Sequence, residues 1–64
     1  MRKKLKDLRL ERGIRPTEMA KRLGVTYPFY YLIEQGKRGV TLEKAVSICA
    51  ILQIQFDYSV FDNQ

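Results

Sequence analysis

Twelve Lys and Arg residues, against seven Asp and Glu, are the side chains of this 64-residue chain best equipped for chemistry, and the chemistry open to them is the neutralisation of anions. Catalysis lacks its usual parts. There is no histidine, Cys49 is the sole cysteine, and no cluster of carboxylates or thiols has ligand spacing, so neither a nucleophile-plus-base pair nor a metal site is expected. The cations are unevenly placed: residues 1–22 hold nine Lys or Arg against three acids, and residues 23–64 hold three against four. A basic half of this kind suits a polyphosphate, because each Lys or Arg that meets a phosphate releases condensed counterions; the plain alternative is a solvated helix surface.

Size narrows the functions further. A chain of 64 residues is expected to form a single domain over 1–64, near the lower limit at which an apolar core alone supports a fold, with no room for a large catalytic cavity. We therefore expect no enzyme and no cofactor. Cys49 falls inside the apolar run from Ala45 to Leu52, where a lone thiol reads as a small buried hydrophobe in a reducing cytosol. That run is too short to span a bilayer. The basic start Met1-Arg2-Lys3-Lys4 resembles a signal-peptide leader, but Lys6, Asp7, Arg9, Glu11 and Arg12 interrupt the apolar stretch that should follow. The expectation is a cytoplasmic protein with no membrane partner.

The elements that must position the cations read as helices. Leu5 and Leu8 give an amphipathic first helix over about residues 2–12, which Gly13 can end in a left-handed conformation. Pro16 suits the first position of a second helix over 16–23, with Met19, Ala20 and Leu23 as its buried stripe. Thr26 is a natural N-cap for a third helix running to about Gln35, with Tyr27 and Pro28 in its first turn. After the loop Gly36-Lys37-Arg38-Gly39, Thr41 can cap a fourth helix bearing Leu42, Ala45, Ile48, Cys49 and Leu52. Phe56 to Phe61 can add one short final turn. Nothing reads as a strand, so the fold class is all-α, a compact bundle of four to five short helices.

Between Pro16 and Gln35 the spacing is that of a helix-turn-helix. Ala20 is small where two helices cross, Gly24 tolerates a positive φ at the turn, and Val25, Tyr30 and Ile33 close the core beneath the next helix. With Leu5-Lys6-Asp7-Leu8-Arg9, Met19-Ala20-Lys21-Arg22-Leu23-Gly24-Val25, Ile33-Glu34-Gln35-Gly36-Lys37-Arg38 and Thr41-Leu42-Glu43, the chain resembles the Cro and lambda-repressor-like helix-turn-helix proteins from about Leu5 to Phe61. The resemblance implies a transcriptional regulator that binds operator DNA, commonly as a dimer and without a cofactor. It also implies an ion pair between Arg9 and Glu34, phosphate contacts from Lys37 and Arg38, and a cap at Thr26 that meets DNA.

Two departures from the family pattern bear on function. Where relatives begin the second helix with a small polar cap and a Gln that reaches phosphate, this chain has Arg15-Pro16, so Arg15 is left to supply that contact as a charge. The outward positions of the third helix, which relatives use on base edges, fall on Tyr27, Pro28, Tyr31 and Leu32, none of which can make a bidentate contact to guanine or adenine. Two functions stay open at this point. One is a sequence-specific or semi-specific DNA-binding regulator of Cro/repressor type with its third helix in the major groove of double-stranded DNA. The other is a protein-binding module on the same scaffold, using the aromatic face of that helix. Phe56, Tyr58, Val60 and Phe61 give the end of the chain more apolar surface than so short a segment is expected to bury alone, which predicts a homodimer interface there.

Overall fold

Proline or threonine starts three of the four α-helices, and a residue in the left-handed conformation follows each of the four. The computed structural model describes residues 1–63 and arranges them as α1 (Lys3–Glu11), α2 (Pro16–Leu23), α3 (Tyr27–Glu34), α4 (Leu42–Ile51) and a closing 3₁₀ turn (Tyr58–Phe61). Pro16 stands in the first turn of α2, where its missing N–H costs nothing. Thr26 Oγ1 accepts the Phe29 N–H at 3.3 Å and Thr41 Oγ1 accepts the Lys44 N–H at 3.2 Å, so α3 and α4 each begin on a satisfied cap.

The turn between α2 and α3 depends on Gly24 at φ +78°, which lets the Val25 N–H reach back to the Ala20 carbonyl at 3.0 Å. Gly36 at φ +76° repeats the device after α3, where the Lys37 N–H bonds to the Leu32 carbonyl at 2.9 Å. A side chain at Gly36 is disfavoured by that φ, and its Cβ would displace the Asn63 carboxamide, which donates to the Gly36 carbonyl at 2.9 Å. After α4 the same position is filled by Gln53, at φ +59° without being glycine.

Leu5, Met19, Tyr30, Ile33, Ile48, Leu52 and Val60 are fully buried, with Ala20 and Cys49 beside them in near-complete burial. Ala20 lies on the face of α2 that packs on α3, where its single methyl lets the two helices approach. α2 also packs on α4, and α1 on both α3 and the 3₁₀ turn.

The end of the chain departs from its expected exposure. Val60 belongs to the core of its own chain, and Phe61 is half-buried against that core. Val60 is therefore not free to line a dimer interface as expected, because the 3₁₀ turn folds back onto α1, while Phe61 keeps part of its surface open. Asp57 caps that turn by accepting the Ser59 N–H at 3.0 Å, and Lys4 reaches the Ser59 hydroxyl at 2.6 Å. Phe56 and Tyr58 do stay exposed, stacked edge to face with ring centroids 4.7 Å apart.

Candidate nucleic-acid interface

Helix α3 turns two opposite characters to its two sides. Tyr30 and Ile33 point into the core, whereas Tyr27, Tyr31 and Leu32 are 44%, 46% and 37% exposed, and Pro28 is exposed beside them. The Tyr27 and Tyr31 rings lie 6.0 Å apart and tilted by 45°, forming with Pro28 and Leu32 an open apolar hollow of about 280 Å³. The Thr26 hydroxyl caps the helix as an acceptor, which leaves its own O–H available to an external partner.

Buried ionic contacts hold this helix in place. Arg9 donates from Nε to Glu34 Oε2 at 2.9 Å and from Nη2 to Glu34 Oε1 at 2.9 Å, while its Nη1 donates to the Ile14 carbonyl at 2.8 Å. Both side chains are almost wholly buried. The two-pronged geometry uses the planar guanidinium fully and ties α1 to the last turn of α3. The bond to Glu34 raises the Arg9 pKa, against the opposing effect of burial. Tyr30, next to this pair, has a hydroxyl that is buried and finds no hydrogen-bond partner among the described residues. Burial first, and the nearby Glu34 carboxylate second, push its pKa well above the ordinary tyrosine value.

Sequence reasoning counted Arg2 only as part of the basic half, yet it is a second anchor. Its backbone N–H bonds to the Glu34 carbonyl at 2.8 Å, and its guanidinium donates to the carbonyls of Ile33 at 2.6 Å, Arg38 at 2.8 Å and Phe61 at 2.8 Å. Those acceptors include the end of α3, whose last carbonyls have no partner within the helix and carry partial negative charge. Burial lowers the Arg2 pKa. No local signal marks the role, since it joins residues more than thirty positions apart.

Much of the basic charge is likewise spent inside the molecule. Of the nine cations in residues 1–22, Arg2 and Arg9 are buried as described and Arg12 donates to the Leu52 carbonyl at 2.7 Å. Lys3, Lys4 and Arg22 pair with Asp7, Asp57 and Glu18 at 2.8, 3.3 and 3.5 Å. Lys6, Arg15 and Lys21 are left without an ion pair among the described residues. Lys6 lines a smaller hollow of about 150 Å³ together with Pro16, Tyr27 and Tyr31, which puts Lys6 and the start of α2 along one flank of the α3 face; Arg15, the residue before Pro16, is exposed.

Past the other end of α3 come Lys37 and Arg38, both exposed. Arg38 stacks over the Phe29 ring at 4.0 Å, and Lys44 stands 5.9 Å from the same ring. That packing explains how Phe29 is half-covered without entering the core: the arginine lies on the aromatic face and keeps an edge of N–H groups for solvent or an anion. The expected site residues on and just after α3 thus lie together, whereas Phe56, Tyr58, Val60 and Phe61 belong to the closing turn and the segment leading into it.

This arrangement is that of a helix-turn-helix with its second helix presented to a partner. The helix-turn-helix family model matches residues 5–59, and the chain belongs to that family, in its Cro and lambda-repressor-like form. Its members are DNA-binding regulators of transcription, and the family is not one of enzymes. No curated protein and no solved structure matches the chain. Among the described residues, no helix is long and apolar enough to cross a membrane, and no three His, Cys, Asp or Glu residues cluster where they could hold a metal ion.

Proposed function

We propose that the chain is a cytoplasmic transcriptional regulator of Cro/repressor type, a single domain over 1–64 that lays α3 in the major groove of double-stranded DNA. The observation that carries this reading is the exposed side of α3 with Lys6 beside Tyr27 and Tyr31 and with Arg38 stacked on Phe29 of the same helix, while Arg15 and Lys37 stand exposed in the segments next to it in sequence. Eight residues of helix run about 12 Å, which is about the width of the groove. Phosphates on either side of the groove then meet the flanking cations, and the rigid Arg9–Glu34 link keeps α3 from yielding as it is pressed between them.

A homodimer completes the reading. Its contact rests on the exposed Phe56 and Tyr58, and it sets two α3 helices about 34 Å apart, one turn of the duplex.

The apolar character of Tyr27, Tyr31 and Leu32 favours a second reading, in which the same face holds another protein. Titration of labelled 24-bp duplexes over a series of salt concentrations separates the two. DNA binding requires affinity that falls steeply with salt, and the Lys37→Ala/Arg38→Ala double variant is expected to bind all duplexes more weakly and to flatten the log K against log salt slope by about 2. Absence of salt-sensitive retention on any duplex at low ionic strength refutes the DNA reading in favour of the protein-binding one.

A further inference from the structure

We infer that α3 selects its DNA sites by seating the C5-methyl groups of thymines in the hollow between Tyr27, Pro28, Tyr31 and Leu32; this rests on the major-groove reading above. From Thr26 to Leu32 the exposed side of the helix carries no Arg, Lys, Asn or Gln, so the amide and guanidinium forks that distinguish guanine and adenine have no counterpart there. What the helix offers is a lining that is almost wholly apolar. The hollow, about 280 Å³, is shallow and open to the outside, so a methyl group standing out from a base edge can reach its lining.

In the major groove the thymine methyl is the apolar group that base pairs present, and it is absent from cytosine, guanine and adenine. The occupant is further specified by charge. An apolar protein surface has no need of cations beside the hollow, whereas a duplex brings phosphates to Lys6, which lines a neighbouring hollow that shares Tyr27 and Tyr31, and to Arg38, which lies on Phe29 of the same helix. The site therefore combines unselective phosphate attraction at its rim with methyl-selective contact at its centre, and the preferred sites are thymine-rich.

The test compares two 24-bp duplexes, alternating d(A·T) and alternating d(A·U), which differ in the major groove by the thymine methyl alone and present the same minor-groove atoms. Binding is followed by fluorescence anisotropy with the intact protein, the two duplexes being compared at each of a series of salt concentrations. The thymine duplex is expected to bind more tightly by about fourfold for each methyl seated, the worth of one buried methyl-sized group. The Tyr31→Ser/Leu32→Ser variant is expected to lose that preference while keeping the salt dependence, since both side chains are exposed and neither is charged.

Equal affinity for the two duplexes overturns the methyl readout and leaves the DNA-binding reading standing. A preference that survives in the double variant also overturns it, because the duplexes would then be distinguished by their shape or stiffness. Failure of the wild type to bind either duplex, at any salt concentration, overturns the DNA-binding reading and the methyl readout with it.

Discussion

Arg9 and Glu34 have side chains only 6% and 7% exposed, so the energetic question is what happens when one is left without the other. Removing one member of a buried pair strands a charge in a poorly solvated place, whereas replacing both with apolar groups of similar volume removes the problem with the interaction. Arg9→Ala is therefore expected to cost about 3 kcal/mol or more in urea unfolding, and Arg9→Met combined with Glu34→Leu to cost clearly less than the two single changes summed. Strict additivity contradicts the coupling. Tyr30 poses the reverse problem, a buried hydroxyl with nothing to bond. Its raised pKa means that the folded state keeps a proton that the unfolded state releases above the ordinary tyrosine value of 10.0. Stability is therefore unaffected by this group below about pH 10 and falls above it, by about 1.4 kcal/mol per pH unit. Tyr30→Phe is expected to remove that alkaline loss and to leave neutral-pH stability unchanged or slightly higher; a large loss at pH 7 contradicts the unpartnered hydroxyl. The Arg9–Glu34 relation was legible in the sequence through position within the family pattern. The Tyr30 hydroxyl was not, because burial of a ring says nothing of where its polar tip ends.

At the scale of elements, the end of α3 and the turn that follows form one unit clamped by Arg2. Arg2→Ala removes the guanidinium donor from the carbonyls of Ile33, Arg38 and Phe61, of which Ile33 keeps the Gly36 N–H, and the expected cost is about 2 kcal/mol, read as a lower midpoint in urea. Arg2→Lys is expected to recover part of it, since an ammonium keeps the charge at the helix end but lacks the fork that reaches three acceptors. Amide exchange at Gly36, Lys37 and Arg38 should quicken in both variants; unchanged protection there contradicts the clamp. Helix starts and stops were largely legible because Pro16, Thr26, Thr41, Gly24 and Gly36 each impose a local backbone preference. The stop at Gln53 was not, for a left-handed glutamine leaves no mark in composition. The tail was misjudged for a related reason: its summed apolar area was correct, but only the fold of the 3₁₀ turn onto α1 decides that Val60 goes inward while Tyr58 goes outward.

For the whole molecule, the net charge of +5 is a poorer guide than the placement of the cations without partners. Six of the nine cations in the basic first third have partners within the chain, three of them in exposed ion pairs, and the proposed DNA contacts fall to cations around α3. The proposed dimer belongs to the same scale, and with Val60 in the core and Phe61 half-buried its proposed contact is placed on Phe56 and Tyr58. Sedimentation equilibrium is expected to show a concentration-dependent dimer that Tyr58→Ser weakens at least tenfold; a monomer at millimolar concentration contradicts it.

The claim on which everything else depends is that the exposed side of α3 faces DNA. Titrating the isotopically labelled protein with a 24-bp duplex and following its backbone and side-chain NMR signals tests this residue by residue. The account predicts the largest changes at Thr26, Tyr27, Tyr31, Leu32, Lys37 and Arg38, with Lys6 and Arg15 shifting beside them. Changes confined to other surfaces, with the signals of Tyr27, Tyr31 and Leu32 unmoved at saturation, would contradict it.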